Sequence, residues 1–248
     1  MSYSISQTVR ELAEPKLAKF TAKLLPTVDP ARILGVRTPA LRKLSKKLLR
    51  EHPQEVTDFM AAAPHDFQEE DLLHVLLLNE ERDFATWHTE ITGFLPYMTN
   101  WTLTDAVSPA CVKGRKAASL PQLERACLDW LVDDRVYVQR LGVVALMSLL
   151  GTEYFSPEHL RAVAALAGSE EYYVRVAVAW YFAEALARQE RAALPWFALA
   201  DSSGDADSPG LPAVTLRMAI TKAIESRRIL DDLKAELRQI RSTLPRRS

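Results

Sequence analysis

The sequence predicts an all-α fold of the HEAT-like helical-repeat type, an α-α superhelix, and three observations carry that expectation. Apolar residues recur at helical spacing in segment after segment, and no period-two alternation competes with them. Residues 134–140 (DRVYVQR) superpose on 170–176 (EEYYVRV) with Tyr137 on Tyr173 and Val138 on Val174, a period of roughly 36 residues that suits helical repeats. Finally, 248 residues with 48% hydrophobic and 25% charged side chains can bury a large core, and on length and composition a single elongated domain is as plausible as two compact ones. A single domain over 1–248 is expected, with flexible ends and a long loop near 201–212, where Ser, Gly, Asp and Pro accumulate. Each helix pair of such an array leaves a face uncovered until its neighbour stacks on it, and the resulting concave surface suits a long ligand.

The first clear element starts at Thr38-Pro39, an N-cap followed by proline at the first helical position. Its Leu41, Leu44 and Leu48 point inward, leaving Arg42, Lys43, Lys46, Lys47 and Arg50 outward. Further helices are expected over 69–78, 84–94, 120–132, 136–150, 157–167, 172–187 and 216–225. His65 and His74 flank Asp66, Glu69, Glu70 and Asp71 at the start of one of them; neither spacing suits a metal, and an ordinary exposed helix start is expected. Trp87, Trp130 and Trp196 sit among apolar neighbours and read as core. Asn100 is a good N-cap, which places Trp101 in the first turn of a helix and Asp105 one turn later on the same face. The plain reading of that pair is a packed indole and a solvated carboxylate; the functional one is a shared site.

Charge is balanced, 31 Lys and Arg against 32 Asp and Glu, which argues against non-specific coating of nucleic acid. Its distribution is uneven. Arg32, Arg37, Arg42, Lys43, Lys46, Lys47 and Arg50 follow one another without an acidic residue; Lys113, Arg115 and Lys116 form a second cluster, and Arg217, Lys222, Arg227 and Arg228 a third. Acids gather at 66–71, at Glu80, Glu81 and Asp83, and at 201–207. Each cluster also fits a solvated helix face. Cys111 and Cys127 read as buried free thiols, no run approaches the roughly 20 apolar residues of a membrane span, and residues 1–10 lack signal-peptide character, so a soluble cytoplasmic protein is expected. Nucleophile-elbow, HExxH, phosphate-loop and dinucleotide signatures do not occur.

Four motifs, in order, add a resemblance: 35–44 (GVRTPALRKL), 100–105 (NWTLTD), 170–174 (EEYYV) with 179–183 (AWYFA), and 222–229 (KAIESRRI). From about residue 20 to about 229 the chain resembles the AlkD-like DNA alkylation repair proteins, within the HEAT-like repeat DNA glycosylase superfamily. The resemblance implies a DNA glycosylase, a hydrolase without AP lyase activity, that releases cationic alkylpurines such as 3-methyladenine and 7-methylguanine from alkylated or distorted double-stranded DNA. It puts the catalytic carboxylate on Asp105, the aromatic walls on Trp101 and Trp180, and a DNA contact on Arg140. Arg37, Arg42, Lys43, Lys46, Lys47, Lys113, Arg175 and Lys222 complete the expected DNA-binding set. No metal, cofactor or membrane is implied, and a cytoplasmic monomer acting at the bacterial nucleoid is expected. A cationic purine is already a good leaving group, so a carboxylate that stabilises charge developing on the sugar and orients a water is sufficient chemistry. One departure is the stretch 24–34, whose Pro26 and Pro30 predict a reduced N-terminal basic helix; the acidic 201–207 loop would also repel phosphate. A non-catalytic DNA-structure binder and a protein-binding scaffold are the alternatives.

Overall fold

Helix starts in this chain are set locally, by prolines and short polar side chains. Pro stands in the first turn of five helices, those that start at Pro15, Thr38, Pro53, Leu120 and Pro157, where its missing N–H costs no intrahelical bond. The computed structural model describes residues 3–114, 118–200 and 209–245. These are all-α, a helical-repeat fold whose only extended pairing among the described residues is an isolated Leu199–Leu211 bridge. They cluster into two units, Met1–Lys113 and Gly114–Ser248. No helix among them is long and apolar enough to cross a membrane.

The first unit holds α1 (Ile5–Glu11), α2 (Pro15–Leu24), α3 (Thr38–Glu51), α4 (Pro53–Ala61), α5 (Gln68–Leu78), α6 (Phe84–Phe94) and the single turn α7 (Trp101–Thr104). Helix α5 is its centre: every residue from Gln68 to Leu78 is buried, against α1, α3, α6 and α7. Leu41, Leu44 and Leu48 of α3 face it at 0–7% exposure, and burying each contributes about 1.5–3 kcal/mol. Helix α3 begins one residue before the expected position, with Arg37 at the N-cap, where its side chain makes no capping bond, and Pro39 within the first turn. The expectation of an exposed start for the acidic helix is corrected: Glu69, Glu70 and Asp71 are 2–3% exposed. Within the stretch 24–34 the prolines leave only a 3-10 turn at Pro30–Arg32; the amphipathic α2, with Lys16, Lys19 and Lys23, ends at Leu24, before that turn.

Gly35 explains how α2 attaches. Its φ is +77°, and a Cβ there would stand 2.3 Å from the Ala18 nitrogen and 2.5 Å from the Glu14 oxygen. Only glycine allows both the left-handed turn and the close approach. The Gly35 carbonyl accepts from the Glu14 N–H at 3.1 Å, closing the contact.

The second unit holds α8 (Leu120–Leu131), α9 (Val136–Leu146), α10 (Pro157–Ala164), α11 (Tyr172–Arg188), α12 (Glu190–Ala193), α13 (Ala213–Glu225) and α14 (Asp231–Thr243). Helix α11 packs against both α9 and α13, and α14 covers α13 with Leu237 fully buried. The repeat read from the sequence is visible here, since α9 and α11 start at equivalent positions and their Tyr137 and Tyr173 rings meet at 5.9 Å. Gly142 lets α9 approach α8, because a Cβ would lie 2.9 Å from the Cys127 carbonyl oxygen. Helices α9 and α10 end at Leu146 and Ala164, three to four residues short of expectation, and their last turns tighten to i→i+3 bonds. Trp87, Trp130 and Trp196 are core residues; Cys127 is fully buried, whereas Cys111 is only half-buried. Arg115, Lys116 and the 201–207 acids lie outside the described residues.

Candidate functional site

The turn that carries the aromatic–carboxylate pair is built from Asn100 outward. Fully buried, Asn100 accepts from the Thr102 N–H at 3.0 Å and from the Thr102 hydroxyl at 2.5 Å, and its amide donates to Gln68 Oε1 at 3.2 Å. Gln68 Nε2 in turn donates to the Thr102 hydroxyl at 2.5 Å. Two of these four bonds, both made by Gln68, pin the turn to the start of α5. The Asp105 N–H donates to the Trp101 carbonyl at 3.0 Å, so the two residues are one helical turn apart, with Asp105 as the C-cap of a helix shorter than the sequence suggests. Thr104 donates its hydroxyl to Asp105 Oδ1 at 3.1 Å. Both Trp101 and Asp105 are half-buried.

Trp101 does structural work as well. Its indole N–H donates to the Leu24 carbonyl at 3.1 Å, and it packs against Leu25, Val28 and Ile33. It also walls a cavity of about 340 Å³, with Leu24, Arg37, Thr38 and Gln68 among the other walls. Arg37 therefore reaches the same cavity as Trp101. Its guanidinium makes a bidentate pair with Glu14, at 2.7 and 2.9 Å, which holds the Glu14 carboxyl below its usual range.

Lysines and arginines from two elements converge elsewhere in the first unit. Arg42, Lys43 and Lys46 of α3 and Lys113, at the end of the Ala110–Val112 turn, line a cleft of about 450 Å³ with Asn79 and Ser108. Among the described residues none of these four cations forms an ion pair. Among the described residues Glu80 is the one acid on the wall. Lys47 and Arg50 point instead to Glu51, at 3.8 and 2.9 Å. The cleft puts four positive charges around one concave surface, an arrangement suited to backbone phosphates.

Trp180, Arg140, Arg175 and Lys222 belong to the second unit. Trp180 on α11 and Lys222 on α13 are half-buried. Arg140 is 4% exposed and donates from Nη1 to the Tyr173 carbonyl at 2.8 Å, tying α9 to the start of α11. Arg175 turns back to the Ser169 carbonyl. In the third basic cluster, Arg217 donates to the Leu244 and Pro245 carbonyls, and Arg228 pairs with Glu184, so both serve the fold.

Several important residues carry no local sequence signal. Glu69 accepts from the backbone N–H groups of Leu34, Gly35 and Val36 at 2.9, 2.7 and 3.3 Å, holding the turn before α3. Arg32 reaches Asp71 at 3.1 Å and the His65 and Asp66 carbonyls at 3.0 Å. His65 Nε2 and His74 Nδ1 are 3.0 Å apart, each ring stacked on a phenylalanine, Phe59 and Phe94 respectively. Burial pushes His65 down to about 4 and His74 to about 3, and raises Asp71 to about 6 against the opposing Arg32 charge. No group of three His, Cys, Asp or Glu side chains among the described residues could hold a metal ion. Asn79, at the end of the leucine run of α5, is 5% exposed and bonded to the segment after Asp105.

A family model described as DNA alkylation repair enzyme matches residues 5–223, which include both units' candidate residues and every helix from α1 to α12. No curated protein matches the chain.

Proposed function

The chain belongs to the DNA alkylation repair enzyme family, which gives it a role in DNA alkylation repair with DNA as partner, and from that premise we propose that it is a DNA glycosylase. Its substrates are cationic alkylpurines of the 3-methyladenine and 7-methylguanine type in duplex DNA, and its reaction is hydrolysis of the N-glycosidic bond. Asp105 stabilises positive charge as it develops on the deoxyribose and orients the attacking water; the glycosidic electron pair leaves with the purine, whose ring charge it neutralises. Trp101 and Trp180 offer aromatic faces to the sugar and the cationic base, and Arg140 contacts DNA. Arg42, Lys43, Lys46 and Lys113 grip phosphates, with Arg37, Lys47, Arg175 and Lys222 as further DNA contacts. The leaving group is activated by its own charge, so the reading requires neither metal nor cofactor, and the protein acts as a monomer.

The observation that carries this reading is the Asn100–Asp105 turn, where buried amides hold an indole and a carboxylate one turn apart. Single-turnover base release from a duplex with one 7-methylguanine tests it. Release above spontaneous depurination should vanish in Asp105→Asn while duplex binding persists; equal activity in the variant removes Asp105 from the mechanism.

A second reading, a non-catalytic DNA-structure binder, draws on a different observation. Trp101 and Arg140 are both engaged by protein carbonyls, whereas the cations of the α3 cleft make no ion pair among the described residues. It predicts background release from wild type together with salt-sensitive duplex binding. Absence of DNA binding at every salt concentration would leave the protein-scaffold alternative.

A further inference from the structure

Asn79 stands where the basic cleft and the candidate carboxylate are joined by a single stretch of chain. That stretch begins at Asp105, lines the cleft at Ser108 and ends at Lys113, a cleft cation. Asn79 meets it three times. Its Nδ2 donates to the Ala106 carbonyl at 2.8 Å, its Oδ1 accepts from the Ser108 N–H at 2.8 Å, and its own carbonyl accepts from the Ala110 N–H at 2.7 Å. The amide orientation is fixed by these partners, because a flipped amide would set donor against donor and acceptor against acceptor. One further backbone bond, Cys111 N–H to the Glu81 carbonyl at 3.2 Å, extends the attachment.

We propose that Asn79 is a positioning residue that sets the spacing between the Asp105 carboxylate and the phosphate-binding cleft; the inference rests on the glycosylase reading. Ser108 is three residues from Asp105, so their Cα atoms can be at most about 11 Å apart. Measured along the duplex axis, that upper bound corresponds to about three base-pair steps at 3.4 Å of rise each. A phosphate held by Arg42, Lys43, Lys46 and Lys113 therefore fixes which nearby sugar meets Asp105, provided the connecting segment does not shift. Asn79 is the side chain that prevents the shift. It touches neither the sugar nor the base, and its effect is exerted through Ala106 and Ser108.

The test separates positioning from binding and from folding. Asn79→Ala removes both side-chain bonds without adding charge to the cleft, and Asn79→Gln keeps the amide on a longer arm. With a 7-methylguanine duplex, the single-turnover rate should fall about 100-fold in Asn79→Ala, the scale expected for a misplacement near 1 Å. The Kd for undamaged duplex should weaken far less than the rate, by about tenfold at most, because Arg42, Lys43 and Lys46 stay on α3 and only Lys113 rides on the released segment. Asn79→Gln should recover part of the rate. A wild-type rate in Asn79→Ala, or parallel losses of rate, affinity and melting temperature in both variants, would overturn the proposal while leaving the glycosylase reading intact. No base release from wild type would overturn both.

Discussion

The salt dependence of duplex binding is set by the side chains that reach phosphate, and the structure divides the basic residues of α3 into two groups. Arg42, Lys43 and Lys46 open onto the cleft with Lys113, whereas Lys47 and Arg50 lie against Glu51. Each phosphate neutralised steepens the plot of log K against log salt by about 0.9, so the four cleft residues should account for a slope of about −3.6. Between about 50 and about 200 mM salt that component alone costs about 150-fold in affinity. Replacing all four with alanine should remove it. All four side chains are exposed, so the fold should survive. Single replacements should each reduce the slope by about 0.9, with Lys47→Ala and Arg50→Ala changing it by less than half as much, since their charge is already partly compensated. Glu80→Gln should tighten binding, because it removes an acid from the cleft wall. Fluorescence anisotropy of a labelled undamaged duplex across a salt series measures every term. A quadruple variant with the wild-type slope would refute the assignment of phosphate binding to this cleft.

Two stability predictions follow from the first unit. Gly35→Ala combines about 1–2 kcal/mol for a left-handed residue with about 1–3 kcal/mol of overpacking against α2, so calorimetry should show a melting temperature lower by on the order of 10 °C; an unchanged value would mean that α2 is not docked through this turn. The buried histidines predict an acid-sensitive fold. Their folded values lie below the unfolded one near 6.5, so between about pH 6.5 and 4.5 the unfolded chain takes up protons that the native pair refuses, and stability falls with pH. Asp71 works in the opposite sense, since its raised value lets the native state gain a proton below about 6, but it is one group against two. A net loss of a few kcal/mol across that window is expected from urea melts, flattened in His74→Gln, and a pH-independent profile would contradict the burial argument.

What the sequence determined by itself was local. Helix positions for α3, α5, α6, α8, α11 and α13 were legible because proline, capping residues and the 3.6-residue apolar period act within a turn or two. The Asn100 cap and the inward leucines of α3 were legible on the same grounds. The equivalence of Tyr137 and Tyr173 was legible as a repeat, whereas the meeting of their rings belongs to the packed structure. Charged residues were a different matter, because a charge declares its sign in the sequence but not its partner. Glu69 and Asp71 looked solvated, yet they are buried, since backbone N–H groups 33–35 residues away and Arg32 satisfy them. Arg140 and Arg228 turn to a carbonyl and a carboxylate of other helices. Only the tertiary structure decided which cations remain for a polyanion, gathering Arg42, Lys43 and Lys46 with a lysine almost 70 residues further along the chain. It alone placed Asn79, at the end of an ordinary leucine helix, against the segment that follows Asp105. The physical reason is one of range: helix propensity and capping act over a few residues, whereas the partner of a buried polar group is whatever the packed chain brings to it.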